Sequence, residues 1–323
     1  MFNLLTFIDC DNPVPINVLF AAKPERWAQY QKPLHDAFEK QGLDVDLRQD
    51  HDPAATDYVI YAPNSALQNF SAYTRTKAVL SLWAGVETIV GNETLTQPLC
   101  KMVDPSLTQG MVEWVTGHVL RHHLGMDAHI AATPGTWNPK APPVAWTQKI
   151  TILGLGELGT ACARALSHIG FDMHGWSRRP KSIEHVTCHS GDGGLTHALQ
   201  GACGVVLLLP DTKATETTLN ARTLSLLSRG AFVLNPGRGP LIDDAALLDA
   251  LDTGQVGHAT LDVFRIEPLP ADDPYWHHPN VTVTPHIASE TRAEWASTAI
   301  AQNVFRGEQG LPFLYLVDRK LGY

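Results

Sequence analysis

The chain is short of cysteine, of net positive charge and of long apolar runs, and each shortage removes a class of protein. Its five cysteines, Cys10, Cys100, Cys162, Cys188 and Cys203, include no C-x-x-C pair. Neither a disulfide framework nor a structural zinc site is indicated, and a reducing, cytoplasmic setting is expected. Lysine plus arginine number 24 against 33 aspartate plus glutamate, a net charge of -9. A sequence-independent nucleic-acid binder needs a basic face, so that partner is not expected. No run approaches the roughly 18 apolar residues of a membrane span, and no membrane is expected. The opening "MFNLLTFIDC" has no basic start and does not read as a signal peptide. Histidine is plentiful, at 15 residues, but no H-E-x-x-H occurs. Adjacent pairs such as "RHHLG" (121–125) and "WHHPN" (276–280) aim their rings to different sides, so no metal is expected.

What is present is an alternation of apolar runs with amphipathic stretches along 323 residues, 44% of them hydrophobic. That is enough for two packed cores. "INVLFAA" (16–22), "TDYVIYAP" (56–63) and "KAVLSLWAG" (77–85) read as strands. "ERWAQYQKPLHDAFEKQ" (25–41) reads as a helix that Pro33 should kink or split. "GMVEWVTGHVLRHHLGMDAHI" (110–130) is one long helical pattern, followed by a proline-rich loop at 133–148. A second series then begins with "KITILGLGELG". Further strands are expected at 171–177, 204–210, 230–236, 256–264 and 280–286, with helices between them and one more from Glu290 onward. Strand, helix, strand with short links means an α/β fold built on doubly wound parallel sheets.

Gly154, Gly156 and Gly159 hold the G-x-G-x-x-G spacing between an apolar strand and a helical pattern. That is the context in which the motif binds a dinucleotide pyrophosphate, with Glu157 and Leu158 opening the helix whose N–H groups face the phosphates. The following strand normally ends on an acid that binds the adenine ribose. Here it ends on Ser177, with Arg178, Arg179 and Lys181 beyond. A hydroxyl beside guanidinium groups suits a 2′-phosphate, so NADP(H) is expected over NAD(H), with NAD(H) still possible. Arg238, Glu267 and His286 each follow a strand of the same series. Their chemistry fits reduction of a 2-oxo acid. Histidine titrates near neutrality and can protonate a carbonyl as hydride arrives, a carboxylate can orient it, and arginine can grip the substrate carboxylate.

"GLGELG", "NPGRGPLIDDAALLDAL", "ATLDVFRIEPLP" and "NVTVTPHIAS", in that order, resemble the D-isomer-specific 2-hydroxyacid dehydrogenase family. "VDRKLGY" (317–323) makes the chain most similar to its glyoxylate/hydroxypyruvate reductase type. The resemblance implies two Rossmann-like domains, with a cofactor domain at 106–289 inserted into a substrate domain at 1–105 and 290–323. It implies catalytic roles for Arg238, Glu267 and His286, an adenosine-side contact at Pro210 and a nicotinamide carboxamide contact at Asp262. The loop "LWAGVE", with Trp83, Ala84 and Gly85, would receive the substrate carboxylate alongside Arg238. A homodimer joined through the cofactor domain is also implied. The implied activity is NADPH-dependent reduction of glyoxylate, hydroxypyruvate or a similar small acid to the D-hydroxy acid. The alternatives are a D-lactate- or phenylpyruvate-type dehydrogenase and, in another class, a nucleotide-sensing corepressor-like protein.

Overall fold

A computed structural model describes residues 14–322. The apolar opening with Cys10 lies outside the described residues. Two compact units result. One runs to Asp104 and resumes at Thr291, and the other spans Pro105–Glu290.

The first unit carries five strands: β1 (Ile16–Ala21), β2 (Val45–Arg48), β3 (Tyr58–Tyr61), β4 (Ala78–Ser81) and β5 (Leu99–Cys100). They lie in the order β2-β1-β3-β4-β5, and every pairing is parallel. Helix α1 (Pro24–Lys40) links β1 to β2. It contains Pro33 and nevertheless runs unbroken, so the expected split does not occur. Tyr30, Leu34, Ala37 and Phe38 are its buried stripe, and tertiary packing of that stripe outweighs one lost intrahelical hydrogen bond. Alternate strand residues enter separate clusters. Val18, Phe20, Ile60 and Leu80 pack with that stripe, and Leu19, Val59 and Val79 pack with Phe70 and Leu95. Both faces are therefore dry, which is why these strands read as continuous apolar runs.

The second unit opens with α2 (Pro105–His123) and α3 (Met126–Ile130). These were expected as one helix. Gly125 stands between them at φ +61, a left-handed backbone that ends the first. Seven strands follow: β6 (Lys149–Leu153), β7 (Asp172–Ser177), β8 (Thr187–Ser190), β9 (Gly204–Leu207), β10 (Ala231–Asn235), β11 (Val256–Leu261) and β12 (Val281–Val283). Between them lie α4 (Glu157–Ile169), α5 (Gly191–Leu199), α6 (Ala221–Leu224) and α7 (Asp244–Asp252). The sheet order is β12-β11-β10-β9-β6-β7-β8, all parallel. The order reverses at β6, which has β7 on one side and β9 on the other, and such a switch point is where doubly wound sheets bind ligands. Val205 and Leu207 face Leu247 and Leu251 on one side, while Ile152 and Val206 face Val115 and Cys162 on the other. The last helix, α8 (Ala293–Glu308), belongs to the first unit and buries Ala296, Ile300 and Val304 beside Leu34 and Phe38.

Candidate active site

Because all strands of the second sheet are parallel, their carboxyl ends share one edge, and the residues expected to work leave the sheet there. The glycine junction follows β6. Gly154 has φ +107, and a Cβ on it would stand 2.4 Å from the Leu208 carbonyl oxygen. Gly159 lies in the first turn of α4, where a Cβ would stand 1.8 Å from the Gly154 carbonyl oxygen. Only glycine permits the turn at 154 and the close approach at 159. Gly156 is different: it is exposed, and nothing lies within 4 Å of where its Cβ would be. Open space there, at the N-cap of α4 and before Glu157 and Leu158, fits a pyrophosphate against the helix N-terminus.

At the end of β7, the Ser177 Oγ donates to the Arg179 carbonyl at 2.8 Å, a bond that shapes the turn carrying the two arginines. Arg178 and Arg179 are exposed beyond it. Pro210 follows β9, and its carbonyl accepts a 2.6 Å bond from Thr215 Oγ1.

Arg238 follows β10. The loop is held by Asn235, buried at the strand end, whose Oδ1 accepts from Gly237 N–H and whose Nδ2 donates to the Arg238 carbonyl. Sequence reasoning passed over Asn235, although Asn before Pro-Gly is a turn signal. Arg238 itself turns Nη1 toward the Gly237 carbonyl at 2.6 Å. Arg265 was also missed. Its guanidinium joins Asp244 Oδ2 and the carbonyls of Ile242 and Pro240, tying the loop after β11 to the segment that follows Arg238.

Glu267 and His286 meet. Glu267 Oε2 is 2.7 Å from His286 Nδ1, while Oε1 accepts from Phe264 N–H at 2.9 Å. The carboxylate is thus fixed at one oxygen and the imidazole at one nitrogen, which leaves Nε2 as the ring's working atom. His286 has φ +55, a left-handed backbone uncommon outside glycine, and its side chain is half exposed. Strained backbone of this kind persists where surrounding bonds hold it. Asp262 supplies them. Buried at the end of β11, its carboxylate accepts from Thr284 Oγ1, Ile287 N–H and Ala288 N–H at 2.6, 2.9 and 2.9 Å. Three of about four acceptor positions go to the His286 segment, so at most one serves the expected carboxamide contact.

In the first unit, Trp83, Ala84 and Gly85 follow β4. Ser81 Oγ accepts from Trp83 N–H and donates to the Trp83 carbonyl, both at 3.0 Å. The Trp83 amide is therefore engaged by Ser81.

Two α/β units, a glycine junction at the switch point and a carboxylate–imidazole pair on the same sheet edge define the class: an NAD(P)-dependent oxidoreductase. Residues 117–288 match the model of the "D-isomer specific 2-hydroxyacid dehydrogenase, NAD binding domain". The chain belongs to that family. A glyoxylate/hydroxypyruvate reductase A of Yersinia enterocolitica is 38% identical over 255 residues, covering 76% of this chain and 82% of that one. A second, from an Enterobacter species, is 34% identical over 321 residues, 97% of each. Among solved structures, a D-isomer specific 2-hydroxyacid dehydrogenase from Xanthobacter autotrophicus in complex with NADPH and MES superposes with a TM-score of 0.88. It is 36% identical and covers 96% of this chain and 100% of that one. An NADPH-dependent glyoxylate/hydroxypyruvate reductase from Sinorhizobium meliloti, with NADP and sulfate, gives 0.85 at 34% identity, over 96% and 99%.

Proposed function

We propose that the protein reduces small 2-oxo acids, glyoxylate and hydroxypyruvate among them, to D-2-hydroxy acids with NADPH. The observation that carries this reading is the 2.7 Å Glu267–His286 pair on the sheet edge that also bears the glycine junction. The names of the curated relatives support the substrate class, and the NADPH and NADP of two solved relatives support the cofactor.

The bound cofactor supplies a hydride to the carbonyl carbon. The chain's own residues do the rest. His286 delivers the proton from Nε2 to the carbonyl oxygen, and Glu267 holds the ring and balances its charge in the protonated form. Arg238 pairs with the substrate carboxylate and polarises the carbonyl. The Ala84 and Gly85 backbone of the loop is assigned to the carboxylate as well, with Trp83, whose N–H is held by Ser81, lining the same loop. Pro210 is assigned to the adenosine side, and Asp262, through its one remaining acceptor position, to the carboxamide.

Loss of absorbance at the NADPH maximum, followed with a panel of 2-oxo acids, tests the reading. Tight cofactor binding with no turnover of any of them would replace it with a sensing role. Arg178 and Arg179 are the proposed 2′-phosphate contacts. Changing both to Ala should lower kcat/KM with NADPH by about 10- to 100-fold, the worth of one or two hydrogen bonds to a charged group, and leave NADH use nearly unchanged. Equal losses with both cofactors would remove them from phosphate recognition.

Two further assignments belong to this proposal. One is a homodimer through the cofactor domain, supported by the exposed apolar side chains Ile130, Trp137, Val144 and Trp146 within residues 130–146, of the kind that an interface covers. The other is a cytoplasmic location, supported by the unpaired state of Cys100, Cys162, Cys188 and Cys203.

A further inference from the structure

His122 and His123 adjoin in sequence, and the fold sends them apart. His123 packs edge-on against Phe171, whereas His122 stacks on Phe232 and lies beside His258 of β11. We propose that His122, Asp127 and His258 form a site for a divalent transition-metal cation of the zinc type, apart from the glycine junction and from the Glu267–His286 pair.

One donor atom from each of the three lies within 4.8 Å of the others. A tetrahedral cation holding nitrogen and oxygen at about 2.0–2.2 Å sets its ligand atoms roughly 3.3–3.6 Å apart, so the three donors would have to close by as much as about 1.5 Å. Two imidazoles and one carboxylate are a donor set for zinc and its neighbours rather than for calcium or magnesium. The three residues line an open recess of about 250 Å³ with Gly125, Ala128 and Phe232, which has room for water as a further ligand.

Each ring has a hydroxyl partner of the kind that orients metal-binding rings. His122 Nε2 lies 2.9 Å from Thr260 Oγ1, and His258 Nε2 lies 2.9 Å from Thr282 Oγ1. The two threonines are register partners on β11 and β12. With Nε2–H donating to the hydroxyl, Nδ1 of each ring carries the lone pair, and such outer partners fix the tautomer of ligating histidines. Asp127 gives Oδ1 to Arg121 Nε at 2.8 Å, which leaves Oδ2 for a cation. The guanidinium works against a cation, so affinity should fall below that of closed structural zinc sites. Since His122 and Asp127 flank the left-handed turn at Gly125, a bound cation would fasten the α2–α3 junction to β11.

The test is calorimetric titration of the full chain, stripped with chelator, with zinc chloride, alongside His258→Gln and Thr260→Val. The proposal expects a tightest class of one zinc per chain and a raised Tm. His258→Gln should weaken that class by more than about tenfold. Thr260→Val, which keeps every ligand, should weaken it by about 10- to 100-fold. Circular dichroism establishes that each variant is folded, and if His258→Gln is not, Thr260→Val decides alone. Absence of zinc binding overturns the proposal, and binding of the same strength in the folded variants also overturns it and places zinc on other histidines.

Discussion

Replacing His286 with Asn should lower kcat by about 10²- to 10⁴-fold, the usual worth of a positioned general acid, with NADPH affinity unchanged. That loss is about 3–5 kcal/mol of transition-state stabilisation. Asn is the informative replacement because His286 sits at φ +55. Asn enters the left-handed region far more readily than Ala, so the backbone and the three bonds that Asp262 makes to its segment are retained. Glu267→Gln should cost less, since an amide can still accept from Nδ1–H but no longer balances charge. Stopped-flow single-turnover rates with saturating cofactor check both. A His286→Asn enzyme with wild-type rates would take the proton-donor role away from this ring.

Gly159→Ala should raise the Kd for NADPH by at least about tenfold and lower the Tm by roughly 5–10 °C, about 2–3 kcal/mol in a domain of this size. The new methyl group would stand 1.8 Å from the Gly154 carbonyl oxygen. That oxygen has no easy retreat. Gly154 N–H donates to the Trp176 carbonyl at 2.8 Å, and the Leu208 backbone closes the other side. The helix α4 must move instead, and its N-terminus carries the phosphate-facing N–H groups. Gly156→Ala separates the two effects. Its Cβ enters open space, so the Tm should hold while cofactor affinity falls. Fluorescence titration and thermal melts of the two variants provide the comparison. Unaltered Kd in both would show that this junction does not hold the cofactor.

The sequence spoke most clearly where side-chain pattern alone decides structure. β3 and β10, buried on every residue, appear as unbroken apolar runs, and the order of strands and helices follows. Two edge strands, β2 and β8, were silent, while the edge strand β12 was expected at 280–286. β2 reads "VDLR" and β8 reads "TCHS", half polar because half their surface is not in a dry layer. The break at Gly125 was hidden as well, since periodicity records which face is apolar and not the φ of one residue. The candidate site divides the same way. Parallel strands oblige Arg238, Glu267 and His286 to leave from one edge, so their placement on that edge was legible. The hydrogen bonds that engage Ser177, Asn235, Arg265 and Asp262 depend on ångström-scale geometry with no sequence signature.

The strand order carries one more consequence. β7, which ends at Ser177 beside Arg178 and Arg179, is five strands from β12, which precedes His286. At about 4.8 Å per strand that is roughly 24 Å, well beyond the 7–10 Å within which substitutions usually couple. Changes at the two ends should therefore add in free energy. An Arg178→Ala, Arg179→Ala, His286→Asn triple variant is expected to lose kcat/KM by the product of its parts within about 0.5 kcal/mol. Cofactor preference and proton delivery would then be independent variables on one scaffold, each adjustable without retuning the other.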